Sequence, residues 1–166
     1  MSKAQNRPTR ILLVDDEEDL VDFLAHRLLK QGYTVTAANS GVEALEAVGS
    51  QTFDVAVLDL KMPRMDGIEL LERIRDIQPF LEAIMLTGHG STDSALAAGR
   101  LRAFRYLTKP YEYEQLVERI REARAHRERC LEAAFEQEME GAMAPGHSSQ
   151  DILARCEELR RKYERD

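Results

Sequence analysis

The hydrophobic pattern of this chain switches between two periods. The runs "RILLV", "DVAVLDL" and "EAIMLT" are near-continuously apolar, as in strands covered on both faces; a strand with one wet face would alternate. "YTVTAA" and "AFRYLT" are also strand-like. Between these runs apolar residues recur at helical spacing. Leu20, Phe23, Leu24 and Leu28 form one stripe, with Gly32 as its C-terminal cap; Val42, Leu45 and Val48 form a second; Ile68, Leu71 and Ile74 form a third. The Ala-rich "STDSALAAG" follows, and a last helix opens near Glu112 with Leu116, Val117 and Ile120. Five strand–helix units in about 120 residues predict an α/β fold, a parallel sheet with helices on both faces.

The remainder is different. Residues 112–140 contain no Gly or Pro and are rich in Glu, Arg and Ala, so the last helix is expected to run on to about Glu140. "GAMAPGHSS" breaks it. A final amphipathic helix starts at "SSQD", a capping-box pattern, and carries Ile152, Leu153, Cys156, Leu159 and Tyr163 on one face. The predicted division is residues 1–124 as the α/β domain and 125–166 as a helical tail.

Composition narrows the class. The 166 residues are 43% hydrophobic and 32% charged, with net charge −7, as in a globular protein with a heavily charged surface. The acidic balance argues against direct nucleic-acid binding, which favours a basic face. No apolar stretch nears the ~20 residues that cross a bilayer, and the polar "MSKAQNRPTR" shows no signal peptide, so a cytoplasmic location without membrane contact is expected. Cys130 and Cys156 lack CxxC or Cys/His metal spacing and read as reduced thiols.

The chemistry gathers where parallel sheets bind ligands, beyond the carboxyl ends of the strands. Asp15 and Asp16 follow the first strand and Asp59 ends the third; Thr87 ends the fourth and Lys109 lies just past the fifth. Asp59 stands out because its strand is otherwise apolar, and a lone buried carboxylate is costly unless paired or metal-bound. Three carboxylates on one rim repel unless a cation joins them, and hard oxygen donors suit Mg²⁺. One carboxylate could then act as a nucleophile towards phosphorus, with the lysine and hydroxyl neutralising phosphoryl oxygens. The plainer reading makes Asp15 and Asp16 helix caps and Lys109 a surface charge. It serves for each residue alone but not for all of them at successive strand ends.

"ILLVDDE", "FDVAVLDLKMPRMDG", "IMLTG" and "YLTKP", in this order and spacing, resemble the receiver domain of bacterial two-component response regulators over residues 9 to about 124. The resemblance implies a flavodoxin-like, doubly wound five-stranded sheet of order 2-1-3-4-5 with a C-terminal helical extension. It implies a phosphorylation switch supplied by a sensor histidine kinase, with Mg²⁺ as cofactor. By position, Asp59 matches the phosphoacceptor, Asp16 the direct metal ligand and Asp15 its acidic neighbour; Lys61 would offer its backbone carbonyl. Thr87 matches the switch hydroxyl and Tyr106 the switch aromatic. Lys109 matches the phosphate-binding lysine, followed by a cis peptide at Pro110. Lys61 and His89 occupy positions that tune dephosphorylation. The chain departs from the pattern in Arg102 before Ala103, which with Arg100 and Arg105 makes a basic cluster near the family's output face, and in Gly88.

Rival readings lack their residues. A haloacid dehalogenase-type phosphatase needs a second Asp where Lys61 stands, and a dinucleotide enzyme needs GxGxxG where "DDEEDL" stands. His26, His89, His126 and His147 are scattered and read as surface or linker residues. A receiver-shaped module that is never phosphorylated would not need the intact acid–Thr–Lys set. No output domain is visible, so the chain is expected either to act alone through an unknown output protein or to be part of a larger transcriptional regulator. The tail stripe could fold back on the long helix or reach a second chain, and a homodimer through the tails is expected.

Overall fold

The computed structural model describes residues 7–88, 105–143 and 148–165. The apolar runs form the strands as expected: β1 (Arg10–Val14), β2 (Thr34–Ala38), β3 (Val55–Asp59), β4 (Glu82–Thr87) and β5 (Arg105–Thr108). All pair in parallel in the order β2-β1-β3-β4-β5. Every residue of β3 and β4 is buried, whereas in edge strand β2 only Ala38 is.

The helices α1 (Glu18–Lys30), α2 (Gly41–Ser50), α3 (Gly67–Ile77) and α4 (Tyr113–Ala142) cover the two faces. Strand side chains alternate between them. Leu12, Val14, Ala56, Leu58, Ala83 and Met85 pack with Ala44 and Val48 of α2 and Leu70, Leu71 and Ile74 of α3. Ile11, Leu13, Val55, Val57, Ile84 and Leu86 pack with Val21, Leu24 and Leu28 of α1 and Leu116, Val117, Ile120 and Ala123 of α4. The continuity of the apolar runs is thus the sum of two alternating patterns. Gly32 sits just past α1 at φ 89°, the left-handed turn expected of a glycine there.

The long helix α4 runs unbroken through residue 124 and ends at Ala142, so Gly141 is helical and the expected break starts later. Its second half is not simply solvated. Arg127, 4% exposed, lies 3.3 Å from Asp54 at the amino end of β3. Asp54 also takes two hydrogen bonds from the Arg7 guanidinium (2.7 and 2.8 Å) and one from the Arg10 backbone N–H (2.8 Å). Burial pushes the Asp54 pKa up, but these donors and the Arg127 charge outweigh it and hold the carboxyl below its ordinary value. Arg124 Nη1 donates to Thr9 Oγ1 at 2.7 Å. His126, expected as a surface or linker residue, has Nδ1 3.1 Å from the Glu82 carboxylate.

The tail helix α5 (Ser149–Arg165) starts with the expected box: Ser148 Oγ accepts from the Asp151 N–H at 3.2 Å, and an Asp151 carboxylate oxygen accepts from the Ser148 N–H at 3.3 Å. Of the two arrangements open to the tail, the chain adopts the fold-back. Leu159 is buried, the Tyr163 ring lies 5.7 Å from Phe135 and 6.1 Å from Phe80, and Tyr163 and Lys162 both donate to Glu138. The stripe is therefore partly covered within one chain: Leu159 is buried and Ile152, Cys156 and Tyr163 are half-buried, while Leu153 stays 65% exposed. No described helix is long and apolar enough to cross a membrane.

Candidate functional site

The parallel register brings separate strand ends to one rim. Val14 pairs with Leu58 and Asp59 with Leu86, so Asp15, one residue past β1, stands beside the end of β3. Asp15 is 1% exposed and Asp59 7%, while Asp16 faces solvent. Lys109 reaches them from beyond β5. Its Nζ is 3.1 Å from Asp15 Oδ2 and 3.1 Å from Asp59 Oδ1. Its backbone N–H donates to the Thr87 carbonyl at 2.7 Å, which fixes the β5 exit against the end of β4. The peptide between Lys109 and Pro110 is cis, as the resemblance implied. Asp15 Oδ1 also accepts from the Glu17 N–H at 3.0 Å and so closes the turn into α1. Asp15 thus orders the turn ahead of α1 without capping the helix, whose N-cap residue is Glu17 and lacks a side-chain cap bond.

Electrostatics follow from this crowding. Burial raises the Asp59 pKa; Lys109 pulls it down, Asp15 and Asp16 add to the rise, and the net direction is up. Burial alone would lower the Lys109 pKa, but its bonds to Asp15 and Asp59 prevail and raise it, so the ammonium keeps its proton. Asp15, Asp16 and Asp59 each offer a carboxylate oxygen within 4.8 Å of the others. Three hard oxygens, one on a solvent-facing side chain, make a donor set that fits Mg²⁺ with room for water.

Thr87 lies on the same rim, 5% exposed, in register with Thr108. Lys61 is exposed, two residues past Asp59. The Tyr106 side chain packs against the core beneath α2 and α3; its hydroxyl has no hydrogen-bond partner among the described residues, and burial raises its pKa. His89, Arg100 and Arg102 lie outside the described residues, and Arg105 is described only as β5 backbone.

One contributor was not singled out from the sequence. Gly67, the first residue of α3, donates its N–H to the Leu60 carbonyl at 3.0 Å. A Cβ there would lie 2.4 Å from the Asp59 carbonyl oxygen and 2.8 Å from Met85 Sδ. Only glycine lets α3 approach the Asp59 backbone this closely. Asp66 before it accepts from the Ile68 and Glu69 N–H groups at 2.9 and 2.8 Å, starting the helix. The "DG" ahead of a helical stripe was the available signal.

Known proteins share this fold. The response regulator receiver domain matches residues 11–121. The transcriptional regulatory protein GlrR of Escherichia coli (strain K12) is 39% identical over 118 residues, 71% of this chain but 27% of GlrR. The chain thus spans about a quarter of that relative's length. A response regulator receiver domain protein from Clostridium thermocellum superposes with a TM-score of 0.69 at 34% identity, over 72% of this chain and 97% of that one. NtrX from Brucella abortus, solved in complex with ADP, superposes with a TM-score of 0.74 at 28% identity, over 93% of this chain and 33% of its own. A match that long extends beyond the receiver fold into the C-terminal helices.

Proposed function

The chain belongs to the response regulator receiver domain family, and from that premise we propose that it is a phosphorylation-dependent switch whose phosphoacceptor is Asp59. The observation that carries this reading is the Lys109 ammonium placed 3.1 Å from both Asp59 and Asp15. A carboxylate whose basicity is raised by burial and neighbouring charge is a stronger nucleophile. Asp59 attacks the phosphorus of a phosphohistidine on a sensor histidine kinase; the P–N bond breaks and its electron pair stays on the imidazole. The imidazole leaves neutral because that pair is held as an N–H bond to a proton, and the transferred phosphoryl oxygens bring their own negative charge to the site. Lys109 pairs with one of them, and the Thr87 hydroxyl donates to another. Tyr106 turns into the space that Thr87 vacates, and this rearrangement is what an output protein reads. When bound by Asp15, Asp16, Asp59 and the Lys61 carbonyl, Mg²⁺ supplies further positive charge to the phosphoryl group. Lys61 and His89 govern the access of water that ends the signal. Residues 1–124 form the switch, and 125–166 form an appended helical tail.

Incubation with acetyl phosphate, followed by intact-mass measurement, tests the reading. One phosphoryl group is expected on the wild type with Mg²⁺ and none on Asp59→Asn. An adduct that survives the substitution, or a wild type that stays unmodified, would falsify it.

A further inference from the structure

At the opposite end of the sheet from Asp59, three side chains of different chemistry converge. Glu82 opens β4 and is 8% exposed. His126 and Cys130 lie four residues apart on α4, on neighbouring turns of one face. His126 Nδ1 is 3.1 Å from Glu82 Oε1, and Cys130 Sγ is 3.7 Å from the same nitrogen. One ligand atom from each of the three lies within 4.8 Å of the others. We propose that Glu82, His126 and Cys130 form a Zn²⁺ site that clips the extended part of α4 to the amino end of β4.

The spacing fits the ion. Zn–N, Zn–O and Zn–S bonds of roughly 2.0–2.3 Å at tetrahedral angles separate neighbouring donors by about 3.3–3.7 Å. Two of the three edges, at 3.1 and 3.7 Å, already approach that range. The mixed carboxylate, imidazole and thiolate set suits Zn²⁺ and disfavours Mg²⁺, whose hard-oxygen site lies on the other rim. His126 and Cys130 are half-exposed, so the ion can enter from solvent and keep a water as fourth ligand. Charge also balances. Binding releases the Cys130 thiol proton, and thiolate and carboxylate together neutralise the dication. Of the two cations near Glu82, Arg75 and Arg127, the second is already paired with Asp54. The metal-free alternative is a Glu82–His126 ion pair with a weak thiol contact from Cys130 to the same imidazole, and the Co²⁺ spectrum separates the two.

Both α4 ligands lie beyond residue 121, where the family match ends. The site is independent of Asp59 chemistry, and its test does not involve phosphorylation. Titrate the reduced, metal-free chain with Co²⁺ under argon and record its absorption spectrum. One equivalent is expected to develop a near-ultraviolet thiolate-to-cobalt band and the intense visible bands of a tetrahedral ion. Zn²⁺ displaces them and a large excess of Mg²⁺ does not. The thiolate band is expected to vanish in Cys130→Ser and to persist in Cys156→Ser, with affinity falling at least about tenfold in His126→Gln. Both α4 positions are half-exposed, and circular dichroism verifies that the variants fold. Absence of the band from the wild type, its survival in Cys130→Ser or unchanged affinity in His126→Gln each overturns the proposal.

Discussion

The Asp54 carboxylate and the Arg127 guanidinium, separated by 73 residues of chain, meet at 3.3 Å with side chains 3% and 5% exposed. Removing one member of a buried pair strands the other. Asp54→Asn is expected to cost about 3–5 kcal/mol, measured as a lowered urea midpoint. The pH dependence carries a sign. The folded-state pKa of Asp54 lies below its unfolded value, so its contribution is complete above about pH 4 and disappears as pH falls through the folded value. Stability of the wild type is expected to fall more steeply with acid than that of Asp54→Asn. Parallel acid limbs would show that Asp54 is not the group responsible.

Lys109 is the one cation that bonds both Asp15 and Asp59 among the described residues. Lys109→Ala is expected to slow phosphorylation by acetyl phosphate roughly 10²-fold, the usual loss for one donor to a developing oxyanion. Intact-mass time courses measure it. Arginine at this position would restore charge but not a single compact ammonium, and only partial recovery is expected.

Gly67→Ala tests the close approach of α3 to the Asp59 backbone. The new methyl would sit 2.4 Å from a carbonyl oxygen that cannot move without moving Asp59. A loss of about 1–3 kcal/mol is expected, together with slower phosphorylation although no site side chain has changed. A variant of wild-type stability and rate would mean that the contact relaxes freely.

The tail depends on a few apolar contacts with α4. Leu159→Ala is expected to cost about 2–3 kcal/mol of local stability. Hydrogen exchange should show faster opening of residues 149–165, while the strands keep wild-type protection. Loss of protection across the whole sheet would instead make α5 part of one cooperative unit.

Sequence reading reached the strands because Val55, Val57 and Ile84 line one face of the sheet while Ala56, Leu58 and Met85 between them line the other, leaving no polar position to interrupt the run. It reached the rim because Asp59 is conspicuous among them. It missed Asp54, whose burial depends on arginines at positions 7, 10 and 127 that no local pattern links. The apolar stripe of α5 was legible, but periodicity says which face is apolar and not what covers it. His126 and Cys130 sit at ligand spacing on a helix, yet their third member, Glu82, is 44 residues upstream of His126 and enters only through the fold.

The attachment of α4 at Arg127 divides it into two unequal mechanical parts. From Tyr113 to Arg127 the helix lies on the sheet, with Leu116, Val117, Ile120 and Ala123 buried. From there to Ala142 it overhangs like a cantilever, a beam of 15 further residues and about 22 Å, propped by α5. A beam converts small angles into distances. A tilt of about 5° at Arg127 would carry Ala142 through roughly 2 Å, a displacement on the scale of a side-chain contact. A change of angle at the root would therefore be read at the tip as a change of position.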